Sequence, residues 1–184
     1  MVKLEHIKEN IRDAKEIAEK LNFPIILDGG SLLGAYRDKG VIKGDEDDVD
    51  FAVPYEVAEF KMLQIIKEFE ERGFELFRLR PTVMTFKRNE TKIDLLFYKW
   101  SEDWGCNYLT LYHDKKPFAL IVPAGYWLDL SEIEFLGIKL KCPKEIERYL
   151  EWRFGDWRTP VLRPNFGFQS YLENDYNKEL TQCL

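Results

Sequence analysis

From residue 3 to residue 21 the apolar side chains Leu4, Ile7, Ile11, Ala14, Ile17, Ala18 and Leu21 recur at helical spacing, with Lys and Glu between them. That pattern predicts an amphipathic helix. Asn22 ends it and Pro24 blocks its continuation. Ile25–Leu27 is a short apolar run and predicts a buried strand. Asp28-Gly29-Gly30-Ser31 follows, and Ser31 is placed to cap a helix over 32–38, closed by Gly40. After a polar loop, Asp48–Val53 alternates polar and apolar residues like a strand and stops at Pro54. Residues 55–72 return to helical spacing, with Val57, Phe60, Ile65, Ile66 and Phe69 as expected core positions and Gly73 as the cap. Runs 74–79, 83–87 and 93–98 read as strands, the last two joined by a turn at 89–91. Short strand candidates fill 108–140 without a clear parse. Pro143-Lys144-Glu145 opens a last helix over 146–154 that Gly155 closes. Helix, strand, helix, strand, helix and then strands predict an α/β (α+β) domain with a mixed sheet.

Length and composition narrow the class. A chain of 184 residues with 13 Phe, 9 Tyr and 5 Trp predicts one domain, 1–184, with a real core and an irregular tail over 161–184. A net charge of -6 argues against a nucleic-acid partner. Cys106, Cys142 and Cys183 show no metal-ligand or disulfide-framework spacing, which favours a reducing compartment. With no signal core and no apolar run long enough to span a bilayer, the expectation is a cytoplasmic protein without a transmembrane segment.

Chemistry concentrates in one stretch. Residues 45–50 hold five carboxylates. An acidic run is ordinarily a solvated loop. Here Asp48 and Asp50 share one face of a strand whose other face, Val49, Phe51 and Val53, is apolar. Two carboxylates held side by side call for a proton or a cation, and oxygen ligands favour Mg²⁺ or Mn²⁺. An EF-hand frame fails, because Val49 and Asp50 fall where a ligand and a glycine belong. Asp94 interrupts the apolar strand 93–97; it either pairs with Lys92 or Arg88, or joins the other two if the strands are neighbours. Gly29 and Gly30 permit close backbone approach, and Ser31 opens a helix whose N–H groups suit a phosphate. An ordinary strand-to-helix turn has the same residues. A phosphate site ahead of a metal-binding strand is the equipment of phosphoryl transfer.

The stretch LDGGSLLGAYRDKGVIKGDEDDVDFAV resembles the signature of the LicD/fukutin family of the nucleotidyltransferase-fold superfamily. A second match lies far downstream: Pro143, Tyr149-Leu150, then Phe154-Gly155-Asp156-Trp157-Arg158-Thr159-Pro160. The resemblance implies a nucleotidyltransferase-like mixed sheet flanked by helices. It implies a divalent-metal phosphotransferase that moves a phospho-alcohol, phosphocholine or ribitol phosphate in style, from a CDP-linked donor to a glycan or small-molecule hydroxyl. By position, Asp48, Asp50 and Asp94 would be the catalytic metal ligands. Gly29, Gly30, Ser31 and Arg37 would meet the donor phosphate, and Asp156, Trp157 and Arg158 would support the site. Ile42-Lys43-Gly44-Asp45 stands where the family has Pro and an aromatic residue.

Other signals have plain readings beside the functional ones. Arg37 can pair with Asp38 instead of a ligand. Trp100, Trp104 and Tyr108 could box a quaternary ammonium or simply pack. His6 and His113 have no partners at metal spacing. Lys87, Arg88 and Lys92 form a basic patch that meets phosphates or decorates a hairpin. Two rival functions remain: transfer of a nucleoside monophosphate from an NTP to a small-molecule hydroxyl, and a non-catalytic nucleotide- or metal-binding module.

Overall fold

The computed structural model describes residues 4–160 apart from 45, 104, 114 and 115, and excludes the side chains of 111–118. The expected tail, Trp104 and Asp45 of the acidic run lie outside the described residues. Helix α1 (Leu4–Lys20) buries Ile7, Asn10, Ile11, Ala14, Ile17 and Ala18 as its spacing predicts. Strand β1 (Ile26–Leu27) leads into α2 (Gly29–Leu33), which continues as a π-helical turn, Gly34–Asp38. Helix α2 thus starts two residues before the expected cap. Asp28, in extended conformation, holds the N-cap position, its carbonyl accepts the Leu32 N–H, and Ser31 lies inside the first turn.

Strand β2 (Asp48–Pro54) buries Val49, Phe51, Ala52 and Val53. The single helix expected over 55–72 is broken into α3 (Tyr55–Ala58), a 3-10 turn (Glu59–Lys61) and α4 (Met62–Glu71). The turn resets the helical phase: at roughly 120° per residue rather than 100°, three residues rotate the face by about 60°. Ile65 and Phe69 stay in the core, Ile66 is partly buried, and Val57 and Phe60 point to solvent, Phe60 being 88% exposed. Then come β3 (Glu75–Arg80), β4 (Val83–Arg88), β5 (Thr91–Ser101), β6 (Cys106–His113) and β7 (Lys116–Pro123). Helix α5 (Gly125–Leu128), β8 (Leu130–Phe135), β9 (Ile138–Pro143) and α6 (Ile146–Phe154) complete the described chain.

The sheet order is β3-β4-β5-β2-β1-β9-β8, with the β6–β7 hairpin attached to the far end of β5. The β2–β5 and β1–β9 pairs are parallel and the remaining pairs are antiparallel, so the sheet is mixed. Phe69 of α4 stacks on Phe86 of β4, centroids 4.0 Å apart, and Ile7, Ile11 and Ile17 of α1 belong to the same core. The apolar residues of β2 are buried in that core as well, while Asp48 and Asp50 keep some exposure. No described helix is long and apolar enough to cross a membrane.

Candidate active site

Parallel pairing brings the acids together. In the β2–β5 register Asp50 stands beside Asp94 and Asp48 beside Lys92. Neighbouring residues in register share a face, and Asp48 lies two residues before Asp50 on that same face. One carboxylate oxygen each from Asp48, Asp50 and Asp94 lies within 4.8 Å of the others. The conditional reading of Asp94 is therefore met: its strand does neighbour Asp48–Val53.

The Asp-Gly-Gly-Ser turn holds the middle acid in place. The Asp50 N–H donates to Ser31 Oγ at 3.0 Å, and the Asp28 N–H donates to the Asp50 carbonyl at 3.1 Å. Gly29 has φ +56°, and a Cβ there would come within 2.5 Å of Asp50 Oδ2. The close backbone approach that two glycines allow is thus made first of all to Asp50. Gly30, Ser31, Val41, Ile42, Asp48 and Phe135 line a crevice beside it that is too narrow to admit a water molecule.

Burial, then the charges of Asp48, Asp94 and Asp28, push the Asp50 carboxyl well above the ordinary carboxylate range. Burial also raises Asp94; the Thr85 hydroxyl and the cations Arg78 and Lys92 pull it part of the way back. Asp94 Oδ1 is buried and receives no hydrogen bond. Lys92 is engaged by Asp47 at 2.9 Å, which holds the Asp47 carboxyl down and the Lys92 ammonium up. Three oxygen ligands, one lacking a donor and another made costly to ionise by its neighbours, fit a hard divalent cation.

The reading from spacing missed a buried acid. Asp28 is 1% exposed and takes hydrogen bonds from Tyr98 (2.9 Å, to Oδ2) and Tyr149 (to Oδ1). Burial first, then the Asp28 charge, raises both phenols well above their usual range. This trio ties β1, β5 and α6 together directly behind Gly29. An acid closing an apolar strand was the available signal; its two tyrosines are 70 and 121 residues away. Arg153, one turn beyond Tyr149 on α6, also went unread, and its charge eases the ionisation of Asp50.

Other expected site residues build the surroundings. Arg37 donates from Nε and Nη2 to both Asp38 oxygens at 2.8 Å and from Nη1 to the Trp157 carbonyl at 3.1 Å. Trp157 is buried edge-on against Tyr36, and Arg158 stacks over the Trp157 ring while pairing with Glu147 of α6. Asp156 accepts from the Thr159 hydroxyl. These contacts fasten the turn after α2 to the end of α6. The basic patch divides by strand alternation: Arg88 faces α1, bonding Asn10 and Asp13, whereas Lys87 and Lys92 share the face of the acids.

Comparison with known proteins bears on the family and the fold. The model of the LicD/FKTN/FKRP nucleotidyltransferase domain matches residues 22–145. The ribitol-5-phosphate transferase FKTN of Mus musculus is 29% identical over 168 residues, covering 88% of this chain and 35% of that protein. Its Homo sapiens counterpart is 28% identical over 161 residues, covering 84% of this chain and 33% of the relative. The chain therefore spans about a third of the length of these curated relatives. Two solved structures of the antibiotic-resistance factor ANT(2″)-Ia share the fold. One has a TM-score of 0.57 at 16% identity, covering 98% of this chain and 90% of that one. The other, a complex with adenylyl-2″-tobramycin, has a TM-score of 0.54 at 17% identity, covering 95% and 92%. With the family model matched over residues 22–145, a span that includes the Gly-Gly turn of α2 and the acids of β2 and β5, the chain belongs to the LicD/FKTN/FKRP family through its nucleotidyltransferase domain.

Proposed function

We propose that this chain transfers a phospho-alcohol from a CDP-linked donor to a sugar or other hydroxyl acceptor, with a divalent metal as cofactor. The observation that carries the reading is the convergence of Asp48, Asp50 and Asp94 on one face of two parallel strands. The curated relatives are ribitol-5-phosphate transferases, which favours a phospho-alcohol as the group moved.

Asp48, Asp50 and Asp94 would hold Mg²⁺ or Mn²⁺. When bound, the ion would neutralise charge on the transferred phosphate. The acceptor oxygen attacks the phosphorus that carries the alcohol, and the bond to the bridging oxygen breaks, releasing CMP. Asp94, its carboxyl raised by burial, is suited to take the hydroxyl proton as the new bond forms. Ser31 and Gly29 keep Asp50 in register, and Gly30 and Ser31 line the crevice beside Asp48, which would have to widen to admit the donor phosphate. Arg37, Asp156, Trp157 and Arg158 act as supports that fix α6 against the turn after α2.

Nucleotidyl transfer is the second reading, favoured by the shared fold with a neighbour solved with an adenylylated product. Product mass separates the two. Incubation with CDP-ribitol, CDP-choline or ATP, each with Mg²⁺ and a panel of hydroxyl acceptors, should release CMP and add a phospho-alcohol mass. An added nucleoside monophosphate would transfer the assignment to the second reading. Metal-dependent nucleotide binding without turnover of any donor would leave a binding module.

A further inference from the structure

The sheet carries a row of side chains that runs on past the acids toward its edge. In register, Asp50 stands beside Asp94, Asp94 beside Thr85, and Thr85 beside Arg78. Paired residues share a face, so Arg78 lies on the carboxylate face two strands from Asp94, about 10 Å between Cα atoms. Lys87 sits on that face in the next row, opposite Lys92. The β3–β4 register slips between Leu76 and Arg78. The resulting bulge turns Phe77 toward Lys87, whose Nζ lies 5.7 Å from the ring centroid.

Arg78 is partly buried and forms no ion pair or hydrogen bond among the described residues. Lys87 has the Phe77 ring but no ion pair among the described residues, although Glu75 stands across from it in register. Phe77 is 50% exposed on a strand that closes the sheet. Three cations near them are engaged: Arg88 by Asp13 and Lys92 by Asp47, with Lys141 of β9 held by Glu132. Two uncommitted cations beside three carboxylates, with an open aromatic face, suit a ligand that is anionic at one end and flat at the other.

We propose that Phe77, Arg78 and Lys87 form the subsite for the departing half of the donor, a nucleoside monophosphate. This rests on the nucleotide-donor reading above and adds which residues hold the leaving group. When the phosphorus–oxygen bond between the two phosphates breaks, its electron pair stays on the bridging oxygen, which departs on the nucleoside monophosphate. Arg78 and Lys87 face the charge that gathers there, and Phe77 offers its ring to the base. All three are positioning residues, since none of them carries the proton or the metal.

Calorimetric titration of CDP and of inorganic pyrophosphate, each with Mg²⁺, tests this. Arg78→Gln and Lys87→Gln should each weaken both probes by about tenfold, and Arg78→Lys should recover part of the loss. Phe77→Ala should weaken CDP by about tenfold and leave pyrophosphate unchanged. Mn²⁺ binding should be the same in all four variants as in the parent, which shows the carboxylates intact. Parental binding of CDP by Phe77→Ala, Arg78→Gln and Lys87→Gln would overturn the subsite while leaving the donor reading standing. Failure of the unmodified chain to bind CDP with metal would overturn both.

Discussion

Replacing Asp50 by Asn should make the metal-free protein more stable, and increasingly so as pH rises. Two charges no more than 4.8 Å apart repel by at least about 3.5 kcal/mol at an effective dielectric constant of 20, and Asp50 has two such neighbours. The molecule escapes part of this by keeping a proton. Burial and neighbouring charge raise the Asp50 carboxyl in the folded state. Between the unfolded value of about 3.9 and the raised folded value, the native state holds a proton that the unfolded chain releases. Stability therefore falls as pH rises through that window and stays low above it. At about 1.4 kcal/mol per pH unit, the full penalty at pH 7 is bounded near 4 kcal/mol. A neutral Asn removes it, so Asp50→Asn should gain about 2–4 kcal/mol. For a chain of this length that is an increase in melting temperature of about 5–10 °C. The assay is thermal melting in EDTA from about pH 5 to pH 8, repeated with Mn²⁺. Wild type should lose stability with rising pH, Asp50→Asn should lose less because only the raised Asp94 carboxyl remains, and Mn²⁺ should restore wild type alone. An Asp50→Asn protein no more stable than wild type at pH 8 in EDTA would refute the reasoning.

Three further outcomes follow from particular contacts. Gly29→Ala puts a side chain at φ +56° and within 2.5 Å of Asp50 Oδ2, so it should destabilise by about 1–3 kcal/mol in urea titrations and weaken Mn²⁺ binding. Wild-type behaviour in both would show the turn to be forgiving. Tyr149→Phe removes a hydrogen bond to the buried Asp28 and should cost about 1.5–3 kcal/mol in urea; an unchanged midpoint would mean that Tyr98 suffices. Trp157→Ala empties the contact with Tyr36 and loosens the segment that anchors Arg37. It should cost about 3 kcal/mol and lower turnover without altering the metal stoichiometry measured by Mn²⁺ titration.

The residues show why some of this was legible in the sequence. Period-two alternation in Asp48–Val53 states which side chains share a face, and the structure repeats it. Asp94 stood out because a charge in an apolar strand needs a reason, but its reason depends on which strand lies alongside. The parallel β2–β5 pairing that answers this is not a local property. The role of Asp28 is hidden in the sequence for the same cause, its tyrosines arriving from distant elements. The expected core positions Val57 and Phe60 failed because a single 3-10 turn shifts the helical phase, and nothing in residues 59–61 announces it. Strands β6 to β9 were hard to place because hairpins of short strands carry little period of their own.

Three carboxylates that make one working metal site must lose metal and activity together. The most direct measurement is Mn²⁺ titration, followed by electron paramagnetic resonance, of wild type and of Asp48→Asn, Asp50→Asn and Asp94→Asn, with CMP release from a CDP-linked donor recorded on the same samples. Each substitution should weaken Mn²⁺ binding and abolish CMP release together. Tight Mn²⁺ binding and undiminished CMP release in any one of the three would contradict one shared metal site.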